Sequence, residues 1–571
     1  MRLKNVFVFA ATLLMIASFV GVCPAYAAQA AASKAFTAPA PKFSPAVAFD
    51  VSPAVRNLAP AASALSSSVV REVRPERGPV VKNRGFSGDA AVQKSGSMRL
   101  GPANAATIPN PLLTFEGLRN TDNPFLVAPP DRVGAVGPNH YVEMVNLVFA
   151  VYDKQGNRLA GPTQLGDLWQ GFAVPDCTDL SGDPIVVYDK FEDRWLLTQF
   201  TTRGPIFYNC VAISQTGDPT GSFFRYAFSA GQFFPDYPKY GVWSNSYLLT
   251  SRDFGPTTEY GISVYALEKE KMIEGDPNAR SVHFFLDSAV VPISQIGDGL
   301  LPADIDGENE PEDGASAPIV GTMDDNGPYG APFDALNVYE LSVRWEQVPT
   351  AALNLVAQLP VASFNSTFPC TAPPPASQTR SCIPQPGTTR KIDILSYRQR
   401  PTWRLAYRTF GKYEAMVTNQ SVQALPGVAG VRWYEIRRNK GRFSLFQQGT
   451  FAPGDGVHRW MGSIAMDAQG NMALGYSVSN ATNVFPGIRY TGRLTQDPLG
   501  QMTLGEGVII NGTGSQLTRV SRWGDYTSMN VDPTDDCTFW YVNEYYTAAG
   551  QASSLAGWQT RIASFKLPGC H

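Results

Sequence analysis

"SRWGDYTSMNVDPTDDCTFWYVNEYY", residues 521 to 546, runs from a polar start through a short apolar stretch and an Asp-rich turn into an aromatic run. The same order of events recurs upstream. "RVGAVGPNHYVEMVNLVFAVYDKQGN" (132–157), "SGDPIVVYDKFEDRWLLTQF" (181–200), "YPKYGVWSNSYLLTSRDF" (237–254) and "RWMGSIAMDAQGNMALGYSV" (459–478) each place two apolar runs around an Asp or Asn-Gly type turn. Period-2 runs of Val, Ile, Tyr, Phe and Trp joined by such turns read as β-meanders. Two further units, "APIVGTMDDNGPYGAPFDALNVYELSV" (317–343) and "RTFGKYEAMVTNQSV" with "GVRWYEIRR" (408–438), fill the gaps, and the units then number seven.

Helices have little room in this chain. "YALEKEKMIEG" (265–275) supplies helix formers for two turns at most, and 45 Pro with 51 Gly interrupt longer runs. A large all-β body must protect its strand edges, and radial repetition leaves only short ones. The expected fold is therefore all-β, a seven-bladed β-propeller over 109–571; a pair of β-sandwiches is the architectural alternative, without a reason for its strands to restart in one rhythm.

The amino terminus carries a basic "MRLKN", an apolar "VFVFAATLLMIASFVGV" and the small-x-small site Ala25-Tyr26-Ala27, which together predict a signal peptide over 1–27 and a secreted or periplasmic protein. No later stretch approaches the roughly 20 apolar residues of a membrane span. From 28 to 108 the chain is rich in Ala, Pro and Ser with no sustained period, which predicts a disordered linker. That arm holds ten Lys and Arg against four Asp and Glu, whereas residues 109–571 hold 34 against 45. An acidic body argues against nucleic acid as its partner. A monomer is expected. Apart from Cys23 in the leader, six cysteines remain, and in an exported protein they read as disulfides. Six allow 15 pairings; nearness in sequence favours Cys177 with Cys210, Cys370 with Cys382 and Cys537 with Cys570.

The blocks "YRTFGKYEAMVTNQSV", "GVRWYEIRR", "HRWMGSIAMDAQGNMALGYSVSNATNVFPGIRYTGR" and the opening stretch resemble a group of exported bacterial β-propeller proteins without an assigned activity. The turn "MDAQGNMALGY" is also similar to the Asp-box of sialidase-type propellers. It departs from that pattern at Ala465, where Ser or Thr is usual, and at Leu474, where Trp is usual, so sialidase activity does not carry over.

In a propeller the starts of the innermost strands line one mouth of the channel. Arg132, Arg459 and Arg522, with Arg408 as a fourth, fall near such starts and could clamp a carboxylate or sulfate; pairing each with a carboxylate of the framework is the competing reading. Asp525, Tyr526, Glu414 and Asp183 are the candidate acid–base groups, although Asp525 and Asp183 could equally cap backbone donors. His458, beside Arg459, is a candidate ligand contact. Asp304, Asp306 and Asn309 in "PADIDGENEPEDG" offer hard oxygens that suit calcium, without the closing Glu of an EF-hand; a solvated acidic insertion is the other reading. No zinc, serine-hydrolase, P-loop or dinucleotide motif occurs in its required setting. The functional expectation is a propeller that binds a polysaccharide, cell-envelope or protein ligand at its mouth. The alternative is a glycoside hydrolase or polysaccharide lyase acting on an anionic glycan.

Overall fold

The computed structural model describes residue 36 and residues 39–63, 69–72, 88–93 and 107–570, apart from 181, 256–258, 313, 328, 367–380 and 395–399. Contacts divide the chain after Phe36, and the unit Thr37–His571 is the one described below. The expected leader and its cleavage site lie outside the described residues.

Four-stranded antiparallel meanders follow one another along the chain, each running from an inner to an outer strand. The inner strands are Val133–Val136, Ile185–Asp189, Phe234–Val242, Asp298–Ile305, Thr402–Thr409, His458–Met466 and Ser528–Val531. Each packs against the next, and the last packs against the first, so seven blades close a ring. The expected seven-bladed propeller is the fold. Asp298–Ile305 and His458–Met466 are buried along their whole length. Strands covered on both faces need no polar side and therefore read as continuous runs rather than alternations.

Neighbouring blades are tied at the axis. The Ser528 hydroxyl donates to the Gly134 carbonyl and accepts from the Gly134 amide, each at 2.8 Å, joining the seventh blade to the first. The fourth and fifth inner strands pair directly in parallel, Ala303 opposite Leu405 and Ile305 opposite Tyr407. The ring is closed by both ends of the body: Leu113–Arg119 forms the outer strand of the seventh blade, antiparallel to Trp558–Lys566.

Disulfides Cys177–Cys210 and Cys537–Cys570 are present, each spanning 33 positions. By the chain-entropy account a loop of that size contributes about 3–4 kcal/mol. Cys382 is disulfide-bonded, and its expected partner Cys370 lies outside the described residues.

Two expectations are corrected here. The span 28–108 was expected to be disordered, but Ala48–Val51 adds a fifth strand to the second blade and Lys42–Pro45 a fifth strand to the third. Farther along, the Asp89 carboxylate is buried against Arg432 of the fifth blade, and Gln93 exchanges hydrogen bonds with Met502 of the sixth. Composition missed this because the segments borrow their partners from blade edges instead of building a core.

The second correction concerns phase. In the fourth and fifth blades the rhythmic units 317–343 and 408–438 are mainly the second and third strands, Ala317–Met323 with Ala335–Arg344 and Glu414–Leu425 with Val428–Asn439. The fourth inner strand is 298–305, which includes part of the supposed acidic loop.

Candidate active site at the leading mouth of the channel

The inner strands all begin at one mouth, and there the backbone is bent repeatedly. Asp131, Asp183, Tyr237 and Met461 have φ of 45°, 47°, 53° and 49°, and Gly299 has 62°. A left-handed conformation costs a non-glycine residue about 1 kcal/mol or more, and such positions cluster at functional sites. Register shifts fall at matching places in four blades, between Asp236 and Lys239, Asp298 and Leu301, Thr402 and Ala406, and Trp460 and Ser463. Bulges of this kind re-aim side chains beside sites.

An aspartate stands at the strand start in five blades: Asp131, Asp183, Asp236, Asp298 and Asp525. The Asp525 amide donates to Asp131 Oδ1 at 2.6 Å, while Asn146 Nδ2 donates to Asp131 Oδ2 at 2.7 Å. Asn146 Oδ1 in turn accepts from the Asp183 amide at 2.8 Å. One asparagine thus links the first two blades. Arg522 donates to both oxygens of Asp525, at 2.7 and 2.9 Å, and the Tyr526 hydroxyl donates to the Pro184 carbonyl at 2.9 Å.

Lys239 enters this acidic group from the third blade. Its Nζ lies 3.5 Å from the Tyr237 ring centroid and 3.9 Å from that of Tyr526, and it donates to the Pro238 carbonyl at 2.8 Å. Lys239 is fully buried, and Asp131, Asp183 and Asp525 are 1%, 3% and 7% exposed. Arg400 lies over the other part of the arrangement, 4.6 Å from the Tyr237 ring centroid and 3.6 Å from Asp298.

Burial and mutual repulsion govern the charges. Desolvation, and then the charge of Asp525, push Asp131 up to about 7 against the pull of Arg522. Burial, followed by Asp236, Asp131 and Asp525, holds Asp183 well above the usual carboxylate range, with Lys239 opposing. Burial brings Lys239 down to about 7 although Asp183, Asp525 and Asp131 all favour its charge. Burial and mutual repulsion therefore favour a proton on Asp131 and Asp183 beyond the usual carboxylate range.

The structure brings Asp183, Asp525, Tyr526 and Arg522 together here. Asp131, Asp236, Tyr237, Lys239 and Arg400 were missed. The available signal was an Asp just ahead of the apolar run in "DRVGAV", "GDPIVV", "DYPKYG", "GDGLLP" and "GDYTSM", which registers only when the blades are aligned by their inner strands.

Glu414 is placed elsewhere, on the second strand of the fifth blade, where its two oxygens accept from Nε and Nη2 of Arg438. The four arginines do not form one clamp. Arg132 donates to Glu544 at 2.9 Å and to Asn543. A Cβ on Gly524 would stand 1.7 Å from its guanidinium, so this close approach requires glycine. Arg459 turns to Asp455 and to Glu506 at the outer strand of its own blade, both at 2.7 Å. Arg408 sits at the far end of its inner strand and grips Asp536 at 2.6 and 2.7 Å. Only Arg522 belongs to the leading mouth cluster. His458 is buried, accepts from the Ala429 amide at 3.3 Å and is pushed down to about 4, first by burial and then by Arg459.

The proposed calcium ligands are also re-read. Asp304 lies inside the fourth inner strand, donating nothing and accepting from the Val242 amide at 3.0 Å and from Arg404 at 2.7 Å, while Asp306 takes the same arginine at 2.5 Å. A guanidinium already occupies the position a cation would take, and Asn309 is exposed. Asp324, Asp325 and Asp334 bring carboxylate oxygens within 4.8 Å of one another, but Asp324 and Asp334 spend theirs on Ser366, Asn326, Asp325 and Phe364 donors.

Among the described residues no helix is long and apolar enough to cross a membrane. No protein-family model and no curated protein matches the chain. Solved structures that it resembles include an endo-arabinase from Bacteroides thetaiotaomicron, at 13% identity over 54% of this chain and 92% of that one, TM-score 0.24. An α-L-arabinanase from Penicillium chrysogenum complexed with arabinobiose gives 8% identity over 59% and 94%, TM-score 0.28. A subtype N10 neuraminidase-like protein from a little yellow-shouldered bat isolate gives 8% over 61% and 91%, TM-score 0.29. Likeness of this size carries no inference: the fold rests on the strand pairing, and the function on the geometry of the mouth.

Proposed function

We propose that the leading mouth is the acid–base site of an exported carbohydrate-active enzyme that hydrolyses a glycan. The observation that supports this reading is the convergence of the buried Asp131, Asp183 and Asp525 from three blades, with burial and mutual repulsion raising the proton affinity of Asp131 and Asp183. Glycosidic cleavage needs one carboxyl that gives a proton to the leaving oxygen and a second carboxylate that activates water or attacks the sugar. Asp183 is the proton donor in this reading. Asp525, whose two oxygens both accept from Arg522, is the base or nucleophile. Asp131 has both oxygens committed to Asp525 and Asn146 and acts as a positioning residue. The overall reaction adds the elements of water across the bond: the proton of Asp183 goes to the leaving oxygen, and a proton of the water passes through Asp525 to solvent, from which Asp183 is recharged. The disulfides suit the oxidising compartment that the leader implies.

Depth favours a second reading, retention of a glycan without cleavage, since none of Asp131, Asp183, Asp525 and Lys239 exceeds 7% exposure. Incubation with neutral and uronic-acid polysaccharides, followed by assays of new reducing ends and of unsaturated ends, separates the two. Hydrolysis predicts new reducing ends that fall at least about 100-fold in Asp183→Asn and Asp525→Asn. Retention on the matrix with no product would leave a binding protein, and unsaturated ends would make it a lyase.

A further inference from the structure

Every acid in the leading cluster has a partner or a role in the reading above, but its buried ammonium does not. Lys239 has zero exposure. Among the described residues no carboxylate lies within ion-pair distance of it; it touches two tyrosine rings and one carbonyl. A lysine serving only as a structural counter-ion would sit against one acid, as Lys269 does against Asp189 at 2.8 Å at the far end of the second inner strand. Here the rings of Tyr237 and Tyr526 hold the ammonium off direct contact while leaving its field on the acids around it. The Tyr526 hydroxyl is fixed to the Pro184 carbonyl, next to Asp183 in sequence, so the ring that cradles Lys239 is anchored to the segment carrying the proton donor.

We propose that Lys239 is the positioning cation of this site, placed to hold the negative charge left on Asp183 when that carboxyl gives up its proton. The inference rests on the hydrolase reading for the identity of the donor, but not for the coupling itself. The groups that face Lys239 are Asp183, Asp131, Asp525 and Arg400, with Asp236 acting on Asp183 from the same blade as Lys239, and Tyr237 and Tyr526 on either side. Arg522 is paired with Asp525 and Arg400 lies against Asp298, which leaves Asp183 with no guanidinium of its own. A buried carboxylate without a cation would be too costly to form, and the proton would stay. With an ammonium near but not paired, the donor can release its proton, and no salt bridge has to break for it to regain one. In this role Lys239 acts in its charged form and neither gives nor takes a proton, so the proton balance is unchanged at the nitrogen.

The test compares Lys239→Met, Lys239→Arg and the unaltered full-length protein. Without the cation Asp183 holds its proton to higher pH. The alkaline limb of kcat should therefore move up in Lys239→Met and kcat should fall about tenfold or more with little change in KM, while Lys239→Arg keeps the limb in place. A readout independent of activity is the infrared C=O stretch of the buried protonated carboxyl, identified by its loss in Asp183→Asn. It should persist to higher pH in Lys239→Met. If no glycan is cleaved but the band moves, the hydrolase reading falls and the Lys239 coupling stands. If the protein is active and neither limb nor band moves, or if Lys239→Arg shifts as far as Lys239→Met, the proposal is overturned. Should Lys239→Met fail to fold, the 13C resonance of Lys239 in the native protein decides: its pH titration should shift in Asp183→Asn, and an unmoved titration overturns the proposal.

Discussion

The two mouths of one channel are built from the same seven strands and are similarly buried, yet they treat charge in opposite ways. At the trailing mouth the acids are matched to arginine forks: Arg404 spans Asp304 and Asp306, and Arg408 grips both oxygens of Asp536. At the leading mouth Asp131, Asp183, Asp236, Asp298 and Asp525 meet Arg252, Arg400, Arg522 and a lysine held on aromatic rings. Matched forks fix charge and give a framework; an excess of acids around too few cations leaves protons free to move. Charge imbalance, not burial, separates chemistry from scaffold here.

The largest test of that contrast is Arg404→Met, which leaves two buried carboxylates without a cation. It should lower the unfolding free energy by about 3–5 kcal/mol in urea titrations. Asp131→Asn, which removes an excess acid, should leave stability at pH 8 unchanged or raised while product formation drops. Equal destabilisation by the two would erase the distinction between the mouths.

Next in size is the pH dependence. Burial pushes Asp131, Glu143, Asp253, Asp334 and Glu544 each up to about 7. A carboxyl whose folded pKa is raised binds its proton more tightly in the native state, so its contribution is lost as pH rises from about 4 through 7. His283 and His458, pushed down to about 4 by burial, oppose this, since their protonation below about 6.5 favours unfolding. With five carboxyls against two histidines, the unfolding free energy should be higher near pH 5 than near pH 8, by on the order of a few kcal/mol. A flat profile would mean that the buried acids are ionised and paired like those of the trailing mouth. The smallest expected effect is that of Glu414→Gln: paired with Arg438 on a second strand, it should leave product formation as in the unaltered protein.

Local chemistry made much of this legible. "DKQGN" and "DAQGN" were visible as turns, and the structure shows the same device in both. Asp153 and Asp467 each accept from the amides two and four positions on and from the Asn side chain four on, with Gly156 and Gly470 at φ of 88° and 78°. Yet the first joins the outer two strands of its blade and the second the inner two, so one motif marks different positions and cannot set the phase. That ambiguity hid the fourth inner strand and with it the repeated leading aspartate.

The amino-acid sequence by itself determined the class of structure, the number of units and two of the disulfides, because strand period, turn residues and nearby cysteines act over short distances in the chain. Only the tertiary structure decided which charges belong to the site. Asp131 and Asp525 stand far apart in sequence and are hydrogen-bonded in space, and a group's proton affinity is set by burial and by neighbours that ring closure supplies.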